Sequence, residues 1–86
     1  MSASPPDPDH LSARQILAAN MRRLRAERQW TQEELAYRGG IDRSFLAHVE
    51  RSARNVSVDV IERIAIALGV PVQELFREDV NESEPD

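Results

Sequence analysis

Residues 31–51 read TQEELAYRGGIDRSFLAHVER. The stretch predicts two short helices joined by a glycine turn. The first opens at Thr31, whose hydroxyl suits an unpaired backbone N–H at a helix start, and Glu34 three residues later completes a capping box. The second opens at Asp42, a carboxylate that caps the helix and complements the positive end of its dipole. Between them Gly39 and Gly40 let the backbone pass through positive φ, where a side chain is resisted.

Small and apolar residues fall where two crossing helices touch. Leu35 and Ala36 face inward from the first helix, Ile41 plugs the turn, and Leu46 and Val49 face inward from the second. A side chain larger than Ala36 would push the second helix away. An ordinary helical hairpin shares the caps and the inward stripe. The fixed offsets from Ala36 to Gly40, Ile41, Leu46 and Val49 favour a helix-turn-helix, whose second helix lies in the major groove of DNA. On a 3.6-residue wheel Arg43, Ser44 and Ala47, with His48 one turn beyond Ser44, lie opposite Leu46 and Val49. Arg43 has the planar fork for bidentate recognition of guanine, worth about 1–3 kcal/mol of discrimination. Ser44 and Ala47 are short enough to approach the groove floor, where a methyl meets thymine. His48 has two readings, a base contact and a solvent-facing ring beside the backbone.

The net charge of −4 over 86 residues hides a segregation. Residues 11–56 carry nine arginines against Glu27, Glu33, Glu34, Asp42 and Glu50, a balance of +4. Residues 57–86 carry a balance of −6, and Asp7 and Asp9 supply the rest. A phosphate responds to charge within roughly one Debye length, about 8–10 Å, so the basic half decides. No lysine accompanies the arginines. The absence of cysteine excludes a disulfide framework and a thiolate metal site. No apolar run reaches membrane-spanning length, and the N-terminus lacks the apolar core of a signal peptide. A soluble, cytoplasmic, single-domain protein is expected.

Working outward, residues 1–10 read as a proline-rich, disordered leader in which His10 has no metal partner. A first helix is expected from Leu11 or Ser12 to Arg28. Leu17, Met21 and Leu24 form its buried stripe, widened by Ile16 and Ala19, while Arg14, Arg22, Arg23 and Glu27 are solvated. Trp30 reads as a buried anchor at the next corner. After the motif comes the polar loop 52–56. Ser57 caps a fourth helix that ends at Gly69, with Val60, Ile61, Ile64, Ala65 and Leu68 on its core face. Ile66 falls on the polar side, among Asp59, Glu62 and Arg63. Pro71 suits the first position of a fifth helix through Phe76. The domain is expected over 11–77, with an acidic flexible tail over 78–86.

Taken together, TQEELA (31–36), GIDRSF (40–45), VER (49–51), RN (54–55) and IAIAL (64–68) resemble the lambda-repressor/Cro/434-type helix-turn-helix (XRE-like) family. Within it the chain is most similar to restriction–modification controller proteins. The likeness covers about residues 14–76 and implies an all-α, compact five-helix DNA-binding domain. It implies base contacts from Arg43, Ser44 and His48. Phosphate contacts fall to Gln32, which also braces the recognition helix, and to Arg51, Arg54 and Asn55 of the following loop. Thr31 joins that backbone-facing set at the start of helix 2, and Phe45 matches an aromatic packed near the backbone. Arg25 and Glu50 match a partly buried, structural ion pair. Gln29 and Ser52 stand where the family often has glycine. If either keeps positive φ, it carries a penalty of about 1 kcal/mol.

The expected function is a sequence-specific transcriptional regulator that binds double-stranded DNA as a homodimer on a near-palindromic operator. Ile66, Val72, Leu75 and Phe76 are expected to supply the dimer contacts. No cofactor, metal, membrane or small-molecule ligand is expected, and concentration-driven dimerisation is the regulation the length leaves open. An antitoxin or a phage-type repressor would use the same domain. A helical protein–protein interaction module without DNA binding is the alternative of another class. An enzyme is disfavoured, because two distant histidines and no clustered carboxylates leave no catalytic set.

Overall fold

Four α-helices and a short 3₁₀ helix enclose one apolar core in the computed structural model, which describes residues 11–78. The expected leader, with His10, lies outside the described residues, as does the acidic tail from residue 79 onward. The helices are α1 (Ala13–Arg28), α2 (Gln32–Gly39), α3 (Arg43–Glu50) and α4 (Val58–Leu68), followed by the 3₁₀ helix Val72–Phe76. Among the described residues no helix is long and apolar enough to cross a membrane.

Each α-helix starts on a side-chain cap. Ser12, Thr31, Asp42 and Ser57 accept from the backbone N–H three residues on, which satisfies a donor the helix leaves open. The full capping box forms at Ser12 with Gln15, not at Thr31. There the Glu34 carboxylate instead takes Arg38 at 2.6 Å.

All four α-helices also end the same way. Gln29, Gly40, Ser52 and Gly69 adopt left-handed backbone, with φ between 59° and 74°. The next residue then donates back to the carbonyl five positions earlier: Trp30 to Arg25, Ile41 to Ala36, Ala53 to His48 and Val70 to Ala65. This bond satisfies a carbonyl the helix leaves open, and an apolar residue at the following position commonly packs inward. Trp30, Ile41 and Val70 do so, each lying against the core. Of the two turn glycines only Gly40 has positive φ; Gly39 closes α2, where an added Cβ would sit 3.0 Å from Ile41 Cδ1. The two non-glycine positions yield a prediction. Gln29→Gly and Ser52→Gly should each stabilise by up to about 1 kcal/mol. For a domain of this size that raises the thermal midpoint by roughly 4–8 °C, readable as a circular-dichroism melt; unchanged midpoints would show that the left-handed residues carry no strain.

Leu17, Met21 and Leu24 of α1, Leu35 and Ala36 of α2, Leu46 and Val49 of α3, and Ile64, Ala65 and Leu68 of α4 form the buried core. The expected stripes hold, with additions. Ala18 and Asn20 are buried on α1, whereas Ala19 is only half-buried. Asn20 is the polar exception: its Nδ2 lies 3.0 Å from the carbonyls of Ile16, Leu75 and Arg77. Its Oδ1 accepts from Arg23, which also reaches Glu74 at 3.0 Å. Arg23 is therefore not a solvated face residue but ties the 3₁₀ helix to α1.

The fifth segment is a 3₁₀ helix, not an α-helix. The short stretch closes in tight i→i+3 turns, with Glu74 N–H donating to the Pro71 carbonyl, and Asn20 takes the Leu75 and Arg77 carbonyls that its C-terminal end leaves open. Pro71 stays extended at ψ 155° as its cap, not its first helical residue. Leu75, expected at a subunit contact, is 0% exposed and belongs to the core. Trp30 is half-buried rather than buried, and the Arg38 guanidinium lies over its ring, 4.3 Å from the centroid.

Candidate nucleic-acid interface

The sequence places Leu46, Val49 and Glu50 on one side of α3, and all three are buried. The other side is therefore open. Arg43 and Ser44 are exposed, Ala47 and His48 are half-buried, and Arg51 at the C-terminal end is exposed. Phe45 lies at the edge, half-buried against the core. The four expected base-contacting residues thus share one surface. Arg43 makes no hydrogen bond or ion pair with any described residue, so its five donors are available.

A buried polar knot fixes where that surface points. Glu50 is 3% exposed, and its carboxylate takes both arms of Arg25, Nε and Nη2, at 2.8 Å each. The remaining Nη1 of Arg25 donates to the Trp30 carbonyl at 2.9 Å, and Gln32 Nε2 donates to Glu50 Oε1 at 2.9 Å. Arg22, expected to be solvated, donates to the backbone carbonyl of Glu50. One carboxylate at the end of α3 is thereby tied to α1, to the α1–α2 corner and to the start of α2. Bidentate, charge-assisted geometry of this kind sets direction as well as distance.

The expected phosphate-facing residues fall at the two ends of this arrangement. Thr31 and Gln32 stand at the N-terminus of α2, where the Thr31 hydroxyl already serves as the cap. Arg51, Arg54 and Asn55 are exposed beyond the C-terminus of α3. His48 is not simply solvated: its Nδ1 lies 2.8 Å from Arg51 Nη2. Since guanidinium has only donors, Nδ1 accepts, and the ring proton of neutral His48 sits on Nε2. The sequence gives no sign of this contact beyond its three-residue spacing on a helix.

Ile66 is 71% exposed on α4 and Val72 is exposed on the 3₁₀ helix, while Phe76 is half-buried against the core. Val58, two helical turns before Ile66, is exposed as well and escaped the sequence reading, because a first-turn valine beside a cap looks like helix start rather than surface. Tyr37 on α2 is also exposed.

The chain matches the family described as "Helix-turn-helix" over residues 21–75. It is 44% identical over 69 residues to the Neisseria hypothetical transcription factor of Neisseria meningitidis serogroup B, covering 80% of this chain and 65% of that relative. The crystal structure of the restriction-modification controller protein C.AhdI from Aeromonas hydrophila is similar with a TM-score of 0.71 at 40% identity, over 73% of this chain and 96% of that one. The controller C.Esp1396I, solved as a tetramer in complex with its natural 35 base-pair operator, is similar with a TM-score of 0.67 at 25% identity, over 79% of this chain and 100% of that one.

Proposed function

The chain belongs to the helix-turn-helix family, and from that membership we propose that it is a sequence-specific transcriptional regulator that binds an operator as a homodimer, in the manner of a restriction–modification controller. The observation that supports the proposal is the open face of α3, held outward by the Arg25–Glu50–Gln32 knot, with Arg43 unpaired among the described residues. A recognition helix needs that combination: rigid support behind and free donors in front. Arg43 reads guanine, Ser44 and Ala47 approach the groove floor, and His48 offers its Nε2–H to a base acceptor. Gln32 and Thr31 meet one phosphate strand; Arg51, Arg54 and Asn55 meet the other, with Phe45 packed beside it. The same reading puts the work in the cytoplasm, where the regulator meets its operator.

Two such helices, related by a two-fold axis, read half-sites centred about 34 Å apart. Ile66 and Val72, with Phe76 at the margin and Val58 on the same exposed side of α4 as Ile66, supply the apolar surface for pairing. The test joins the two halves of the proposal. The native protein should sediment as a dimer and bind duplex DNA with an affinity that falls steeply with salt. Ile66→Asp should shift sedimentation towards monomer and weaken operator binding at least tenfold. A variant that stays dimeric moves the interface elsewhere, and a native protein without salt-dependent duplex binding removes the regulator.

A further inference from the structure

We propose a second phosphate-binding track beside the recognition helix, formed where α1 passes the end of α3 and holding the DNA backbone through Arg22 and Arg14. The inference rests on the regulator reading and adds two contacts to it.

A groove of about 640 Å³ opens between the N-terminal half of α1 and the turn after α3, lined by Gln15, Arg22, Arg51 and Ser52 among others. The groove is open to solvent, and Leu11 and Ala19 form the apolar part of its wall. A second, adjoining groove shares Gln15 and Ser52 and adds Arg14. Glu50 is the acid in the lining, and both of its carboxylate oxygens are turned to Arg25 and Gln32. Among the described residues that line it, the track presents arginine, amide and hydroxyl groups beside the apolar Leu11, Ala13 and Ala19, with no free carboxylate to repel an anion.

Three features make it more than a basic patch. Arg22 is held in place, since Nη1 donates to the Glu50 carbonyl and leaves the rest of its fork open; a guanidinium has five N–H donors. Arg14 is exposed and makes no side-chain hydrogen bond or ion pair with any described residue. Arg51, the arginine at the end of the outward face of α3, lines the same groove as Arg22. The major groove is about 12 Å wide and walled by two phosphate strands. A strand that meets Arg51 on leaving the recognition helix is thereby led along the α1 side of this groove, past Arg22 and then Arg14. The Ser52 turn, left-handed at φ 60°, brings its Oγ to the Arg14 carbonyl at 3.4 Å and closes the floor between the two arginines.

The experiment is the salt dependence of operator binding by the full-length dimer, using a duplex recovered by selection from a random pool. Each neutralised phosphate adds about 0.9 to the slope of log affinity against log salt, so Arg22→Gln, which removes one contact per subunit, should lower the slope by about 1.8. Arg14→Gln, at a side chain with no partner among the described residues, should do the same without touching the fold. Arg22→Lys should retain the slope, and all three variants should keep the native base preference. Native slopes in Arg22→Gln and Arg14→Gln would overturn the track, and so would a changed base preference, which would mean that Arg22 acts through the pose of α3. Absence of salt-dependent binding by the native protein would instead sink the regulator reading, and the track with it.

Discussion

Replacing Arg25 by alanine is expected to destabilise the domain by about 3–5 kcal/mol, because it strands a carboxylate in the interior. Glu50 is 3% exposed and Arg25 supplies two of the bonds that neutralise it. For a small domain whose whole stability is about 5–15 kcal/mol, that loss is severe. It is readable as a fall in the urea midpoint at unchanged slope. The loss measures a stranded charge, not the net worth of the pair. Replacing both partners with apolar residues of similar volume, Arg25→Met with Glu50→Leu, should therefore restore most of the stability. The double variant should still bind operator poorly, since Gln32 and the Trp30 carbonyl lose their partners and α3 its fixed direction. A single variant within about 0.5 kcal/mol of native would show that α3 is held by its apolar contacts alone.

Arg43→Ala should change specificity where Arg25→Ala changes stability. Arg43 is exposed at the first position of α3, and its side chain makes no hydrogen bond or ion pair with any described residue. Its removal should leave the unfolding midpoint within about 0.5 kcal/mol, as for other surface positions. It should flatten the preference at one base pair of each half-site by about 1–3 kcal/mol, roughly five- to 150-fold. Binding profiles over single-base operator variants give that number directly. A uniform loss across all variants would make Arg43 a phosphate contact instead, and an unchanged profile would remove it from the interface.

The parts of the fold that were legible in the sequence are those set by local chemistry. Caps at Thr31, Asp42 and Ser57, the stop at Gly69 and the core faces of the helices follow from hydrogen-bonding side chains and a 3.6-residue period. The outward set on α3 follows from the same period once Leu46 and Val49 are turned inward. The parts that were not legible depend on residues far apart in the chain. Asn20 looks like an ordinary polar interruption of a helix until the carbonyls of Leu75 and Arg77 arrive beside it. Those bonds fasten the last segment to α1, where Leu75 is buried in the core. Arg22 is exposed as expected but spends one arm on the Glu50 carbonyl, and Arg23 looks like a solvated face residue because periodicity records which way a side chain starts, not where a long one ends. The Arg25–Glu50 pair was reached through family resemblance; a spacing of 25 residues carries no local signal.

The most direct measurement is selection of bound duplexes from a random DNA pool by the native protein. A recognition helix displayed by a two-fold dimer should enrich two inverted copies of one short motif, centred about 34 Å apart, or roughly one turn of duplex. Each copy should contain a guanine that loses its preference in Arg43→Ala. A pool that stays random after repeated selection, or that yields a single unpaired motif, would contradict the dimeric regulator.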